Sequence, residues 1–377
     1  MTERLTDLPT PCLVLERSRL ASNVERMADR ARTLGVALRP HLKTCKSVDI
    51  AAMVAPERSR VTVSTLREAR YFAAAGFSDL LYAVGIAPQK LAEVNALNGQ
   101  GARVQLLLDA PGTARSVAEE AERLGTRFEL WIEIDVDGHR AGLEPDDPEL
   151  LETGRFVHES ERLSLRGVLT HAGEAYHCRT GDELRAHAEQ ERSRCVQVAE
   201  VLRGAGVDCP GVSVGSTPTA LAARSLAGVT ELRAGVYVFQ DLFQVGLGIC
   251  RIEDIALSVL ATVIGHKRSH RRLLIDAGGL ALSKDRGTAE QPVDRGYGLV
   301  ARAEDGGIIP GLQVNGCSQE HGVIGLPESL NFEDFPIGSR LRILPNHACM
   351  TAAAHERYHV VDGDDRVIAH WPRCNFW

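Results

Sequence analysis

From Val36 to about Ala234, short apolar runs alternate with longer stretches whose apolar positions recur every three or four residues. The first pattern suits buried parallel strands and the second amphipathic helices packed over them. Candidate strands are VALRPHLK (36–43), RVTVST (60–65), DLLYAVG (79–85), RVQLLLD (103–109), FELWIEIDV (128–136), LRGVLTHA (165–172), GVSVGS (211–216) and ELRAGV (231–236). Helical patterns cover 17–34, 66–75, 90–97, 112–124, 149–159 and 181–205, most of them closed by glycine. This alternation predicts an α/β chain whose first part is a (β/α)8 TIM barrel. An open doubly wound sheet would be wide for so many strands, and no GxGxxG follows the first one.

After residue 245 the rhythm changes. ALSVLATVIGHK, RRLLIDAGG, GLVARAE, GGIIPGLQV, SRLRILPN and RYHVVDG are short, rich in Val, Ile and Leu, and separated by Gly, Asp or Pro. They predict a mostly antiparallel β-domain. The expected division is 1–245 for the barrel and 246–377 for the β-domain, with the N-terminal strand free to join the latter.

The length of 377 residues agrees with two domains. No apolar run reaches the ~20 residues of a membrane span, and the N-terminus lacks the apolar core of a secretory signal. The nine cysteines have no CxxC spacing, as expected for a reducing compartment, so a cytoplasmic protein is expected. With 43 basic and 50 acidic residues the net charge is -7, and no basic block is long enough to track phosphates. Nucleic acid is not an expected partner.

Active sites of such barrels form at the carboxyl ends of the strands. At the first, a period of two places His41, Lys43 and Cys45 of RPHLKTCK on one face, which points the lysine into the barrel mouth. Burial there lowers a lysine's pKa and makes the amine nucleophilic; a rim lysine paired with a carboxylate is the alternative. After the fifth strand, DVDGHRAG offers Arg140 as a donor to an anionic oxygen, or as a bridge to Asp135 or Asp137. At the seventh, GSTPT (215–219) presents amides and hydroxyls to an anion such as phosphate, or else forms an ordinary helix cap. In the second domain, PNHAC sets His347 and Cys349 two apart, able to share one zinc ion with positions left open, or to sit as a core histidine beside a buried thiol.

Taken in order, TPCLVLE, RPHLKTCK, DVDGHRAG, LTHAGEAYH, GSTPT, ELRAGVYVFQD, DAGGLALSKDRG, CSQEHG and PNHAC resemble the D-threonine aldolase and D-serine dehydratase family from residue 9 to the C-terminus. The resemblance implies an alanine-racemase type of fold, pyridoxal 5'-phosphate, a divalent metal (Zn2+ or Mn2+) and a homodimer. By motif, Lys43 is the lysine that carries the cofactor and Arg140 donates to its phenolic oxygen. Gly215, Ser216 and Thr217 cradle the phosphate, with Gly235 and Tyr237 close by, and His347 and Cys349 match the metal ligands. His171 and His321 are the first candidates for a further catalytic group, ahead of Tyr176, His177, Gln319 and Glu320. Asp285 is expected to reach a neighbouring subunit's site.

Dehydratase-like members resemble this chain in having His-x-Cys, whereas aldolase members typically show His-x-Asp. The expected reaction is therefore dehydration and deamination of a D-3-hydroxy amino acid, of the D-serine or D-threo-3-hydroxyaspartate type. The alternative is retro-aldol cleavage to glycine and an aldehyde; an amino-acid racemase ranks below both. One departure stands out: Cys45 occupies the position where the family usually has a second histidine.

Overall fold

The computed structural model describes residues 3–138 and 140–377, so His139 of the DVDGHRAG motif lies outside the described residues. Two compact units emerge: one is residues 26–235 with the last two residues, the other is the chain through Glu25 together with Val236–Asn375. The division on the C-terminal side of the barrel thus falls at Gly235, ahead of the expected 245.

The first strand, β1 (Cys12–Glu16), belongs to the second unit. The barrel unit contains β2 (Ala37–Pro40), β3 (Arg60–Val63), β4 (Asp79–Gly85), β5 (Arg103–Leu108), β6 (Phe128–Ile134), β7 (Leu163–Thr170), β8 (Gly211–Val214) and β9 (Glu231–Ala234). All pair in parallel in the order β2-β9-β8-β7-β6-β5-β4-β3. The ring closes just beyond β2, where His41 bridges Thr62 and the Leu42 amide donates to the Thr62 carbonyl at 2.8 Å. Helices cover the outside, the longest being Gly181–Gly204, and Gly125 closes Pro111–Leu124 in the left-handed conformation.

Barrel interiors are usually filled by layers of branched apolar side chains. This one also encloses a polar layer. Arg39 Nε donates to Glu231 Oε2 at 2.7 Å and its Nη1 to Asp79 Oδ1 at 2.8 Å. Ser213 Oγ donates to Glu231 Oε1 at 2.6 Å, and Arg233 Nη1 donates to Ser213 Oγ at 2.5 Å. Gln105 links Asp79 to the Trp131 indole, each at 2.6 Å. The Trp131 ring fits because β7 and β8 approach closely at two glycines: a Cβ on Gly167 (φ +146) would stand 2.1 Å from the Gly211 carbonyl, and one on Gly211 2.5 Å from the indole.

In the second unit, β10 (Leu257–Lys267), β11 (Arg272–Ile275), β12 (Leu299–Arg302), β13 (Ile308–Cys317), β14 (Gly322–Gly325) and β15 (Arg340–Leu344) pair antiparallel and close on themselves through β10 and β11. Strand β1 runs antiparallel to β10 and parallel to β16 (Arg357–Val361), which pairs with β17 (Ala369–Pro372). The buried Arg342 guanidinium holds Glu16 of β1 and donates to the Ala303 carbonyl at 2.8 Å. The chain is therefore a parallel eight-stranded barrel joined to an antiparallel β-barrel domain.

Candidate active site

At the carboxyl end of β2 the structure corrects the expected strand: it stops at Pro40, and residues 42–45 form a turn. Proline at the end of a strand cannot donate to the ladder, and the tight turn replaces the period of two. Leu42, Thr44 and Cys45 are buried while Lys43 is exposed, so its amine faces out of the turn and is not enclosed by apolar layers. The Cys45 thiol lies inside, 3.5 Å from the Leu42 carbonyl. Lys46, the other lysine of the motif, is bound at 3.0 Å to the fully buried Glu68. Gly235 packs against this turn: a Cβ there would meet the His41 carbonyl at 2.9 Å and Thr44 Oγ1 at 3.1 Å.

Around Lys43 the barrel unit gathers His41, His171, Arg140 and Arg233. Burial and the charges of Lys43 and Arg233 push His41 well below the usual histidine range. Burial, Lys43 and Arg140 bring His171 down to about 3. Both imidazoles are therefore neutral near pH 7. Burial also lowers Arg233 and raises Glu133, whose carboxylate lies 3.7 Å from the Arg140 guanidinium. The half-exposed Arg140 turns its guanidinium to Glu133, while its backbone amide is held by Asp135 at 3.3 Å. Asp137 instead accepts the Glu174 amide at 2.9 Å.

In the GSTPT loop, Gly215 adopts φ +123, and a Cβ there would fall 2.4 Å from the Arg233 carbonyl. Its amide donates to Glu191 at 3.1 Å and its carbonyl faces His171 Nδ1 at 3.4 Å. Ser216 caps the helix Thr217–Ala222, its own amide donating to Thr219 Oγ1 at 3.0 Å. Ser216 and Thr217 are buried. Among the expected residues, Lys43, Arg140, His171, Gly215, Ser216, Thr217 and Gly235 therefore all belong to the barrel unit.

The second unit holds the others. His347 precedes the helix Ala348–Ala353, with its Nδ1 2.7 Å from Asp285 Oδ2. Burial opposes its charge, but hydrogen bonds with Asp285 and Cys349 raise His347 to about 11. Asp285 is bound to His347 of the same chain. Asp241, buried and pushed up by burial, accepts the Ala348 amide at 3.0 Å. Asn346 fixes the preceding residue through the Gly296 carbonyl at 2.6 Å. Tyr237 is buried in a short helix, and His321 is exposed in the turn between β13 and β14.

The chemistry of these groups can be stated for each unit. The barrel mouth offers an exposed amine with two neutral imidazoles and the cationic Arg140 and Arg233 around it, a setting for an anionic carbonyl compound. The His347 and Cys349 pair supplies nitrogen and sulfur donors with a carboxylate behind the imidazole, as at zinc sites. Among the described residues no cage of three or more His, Cys, Asp or Glu forms, so an ion there would keep open positions. Sequence reasoning missed Glu133, Arg233 and Glu191. Only the last left a signal, as an acid within the apolar stripe of a helix.

Residues 15–242 match the alanine racemase N-terminal domain, and residues 256–361 match a putative serine dehydratase domain. The chain is 49% identical to the D-threo-3-hydroxyaspartate dehydratase of Delftia sp. strain HT23, covering 100% of both chains. A solved structure of that dehydratase, a cysteine-to-alanine variant described as the metal-free form, superposes with a TM-score of 0.96 at 48% identity over 100% of each chain. The D-threonine aldolase from Filomicrobium marinum superposes with a TM-score of 0.83 at 27% identity, over 99% of this chain and 97% of that one.

Proposed function

The chain belongs to the family of pyridoxal-phosphate lyases that joins an alanine racemase N-terminal domain to a serine dehydratase domain, and from that premise we propose that it dehydrates a D-3-hydroxy amino acid, D-threo-3-hydroxyaspartate or D-serine, to a 2-oxo acid and ammonia. The observation that carries this reading is the exposed Lys43 amine among His41, His171, Arg140 and Arg233. A phosphorylated aldehyde needs an amine to join and cationic groups to balance it. Full-length identity to a dehydratase, well above that to the aldolase structure, favours elimination over retro-aldol cleavage.

The residues fit the cofactor. Lys43 would hold it, Arg140 would donate to its phenolic oxygen, and Gly215, Ser216 and Thr217 would receive its phosphate, with Gly235 allowing the close approach of its backbone to the Lys43 turn and Tyr237 contributing to its binding. Pyridoxal phosphate, when bound, supplies an electron sink for the pair left as a bond at the substrate's Cα breaks. The Lys43 amine, once free, removes the Cα proton. His171 is neutral near pH 7 and accepts or donates a hydrogen bond without adding charge, the role proposed for it, and His321 in the second unit is proposed as a further catalytic group. Glu133, 3.7 Å from the Arg140 guanidinium, would steady it there.

His347 and Cys349 would hold the divalent ion, zinc or manganese, with Asp285 orienting the imidazole. Such an ion, when bound, supplies a Lewis acid to the leaving hydroxide. The same reading carries a homodimer and a cytoplasmic location. No helix among the described residues is long and apolar enough to cross a membrane.

Product analysis tests the proposal. Incubation with D-threo-3-hydroxyaspartate, D-serine and D-threonine is expected to release a 2-oxo acid and ammonia from at least one of the first two. Glycine and an aldehyde as the sole products would replace dehydration by aldol cleavage, and interconversion of the D and L forms with no other product would make the protein a racemase.

A further inference from the structure

The helix Gly181–Gly204 buries Leu184, Ala188, Cys195, Val198 and Leu202 along one stripe, and within that stripe stands a carboxylate, Glu191, 2% exposed. Burying a carboxylate is costly unless its oxygens are hydrogen bonded. Glu191 Oε1 accepts the Ala172 amide at 3.2 Å and the Gly215 amide at 3.1 Å, and the carboxylate also binds the Thr219 hydroxyl. Ala172 follows β7, Gly215 follows β8, and Thr219 lies in the first turn of the next helix. One side chain of an outer helix thus pins two neighbouring loops at the carboxyl end of the barrel.

The consequence reaches further than the three direct contacts. The Thr219 hydroxyl oxygen in turn accepts the Ser216 amide at 3.0 Å. The Gly215 carbonyl meets His171 Nδ1 on its other side. Both ends of the Gly215 residue and the amide of Ser216 are therefore held. We propose that Glu191 is a positioning residue that keeps the Gly215–Thr219 loop in the shape that receives a cofactor's phosphate. The proposal rests on the reading of the barrel mouth as a pyridoxal phosphate site. A methionine at 191 would suit the apolar stripe and remove all three hydrogen bonds, whereas glutamine keeps an acceptor for both amides.

The experiment titrates cofactor-free protein with pyridoxal phosphate and, separately, with pyridoxal, following binding by fluorescence, alongside circular dichroism of each variant. Glu191→Met is expected to weaken pyridoxal phosphate binding by about 10- to 100-fold while pyridoxal binding changes by less than about threefold. Glu191→Gln is expected to stay near the wild type with both ligands, and Thr219→Val to weaken only the phosphorylated one. Equal loss of both ligands in Glu191→Met, or no loss of either, would overturn the proposal. If Glu191→Met fails to fold, Glu191→Asp, whose shorter side chain withdraws the acceptor from both amides, decides by the same comparison. A wild-type chain that binds neither ligand would overturn the cofactor reading itself, which separates the two failures.

Discussion

Replacing Glu231 by leucine removes the carboxylate at the centre of the polar layer inside the barrel. Glu231 is 4% exposed and accepts from Arg39 Nε at 2.7 Å and Ser213 Oγ at 2.6 Å. It is also the largest favourable charge acting on the fully buried Arg233. Its loss leaves two buried guanidiniums short of counter-charge, and breaking a buried pair in this way costs about 3–5 kcal/mol. At 2–4 °C per kcal/mol for a unit of this size, the melting temperature should fall by about 6–20 °C. Arg39→Met costs less, about 1.5–3 kcal/mol, because Glu231 keeps Ser213 and the field of Arg233.

The discriminating measurement is the double variant. In the Glu231→Leu background Arg39 keeps the Val61 carbonyl and, as its counter-charge, Asp79, which is 20% exposed and so repays little of the cost of the buried charge. Adding Arg39→Met there should be neutral or stabilising. Melting curves of the four proteins, followed by circular dichroism at one pH and salt concentration, give the coupling directly. Strictly additive losses would show that the two side chains do not act as a buried pair, and the account of the barrel interior would fail.

Three further outcomes are expected. Lys43→Ala should abolish the cofactor's visible absorbance whereas Lys46→Ala retains it, since Lys46 is committed to Glu68; spectra of the two purified proteins decide, and the reverse pattern would move the cofactor to Lys46. Cys349→Ala should lose activity that returns only at raised divalent ion concentration, and metal analysis after chelator dialysis should show a lower content than in the wild type; unchanged turnover and metal content would remove the thiol from the ion's site. His171, lowered from 6.5 to about 3 by burial and by Lys43 and Arg140, is neutral when folded and readily protonated when unfolded. Its contribution to stability is therefore complete above pH 6.5 and lost as pH falls toward 3. Melting temperatures at pH 7 and pH 5 should consequently drop more for the wild type than for His171→Asn, and parallel drops would contradict this environment for the ring.

Much of the architecture was legible along the chain because period and punctuation report local geometry. All eight barrel strands were located, with ends shifted by a few residues. The largest displacement was at RPHLKTCK, where alternation predicts a continuing strand but Pro40 and the turn at 42–45 end it. Gly322–Gly325 and Ala369–Pro372 escaped notice, being short and carrying few apolar residues. The motifs identified the residues of each unit but not their partners: Arg140 was expected to bridge Asp135 or Asp137 if it was structural, and its guanidinium turns to Glu133.

What the chain determined by itself is the set of elements and the residue types at their ends, because strand and helix periods, caps and turn residues act over a few positions. The tertiary structure decided which charges meet. Arg39 finds Glu231 and Asp79, Asp285 finds His347, and Glu191 reaches two loops, through separations in sequence that no local pattern encodes. Burial then sets the protonation of His41 and His171, since the free energy of a charge depends on the dielectric and the neighbours that the closed barrel puts around it.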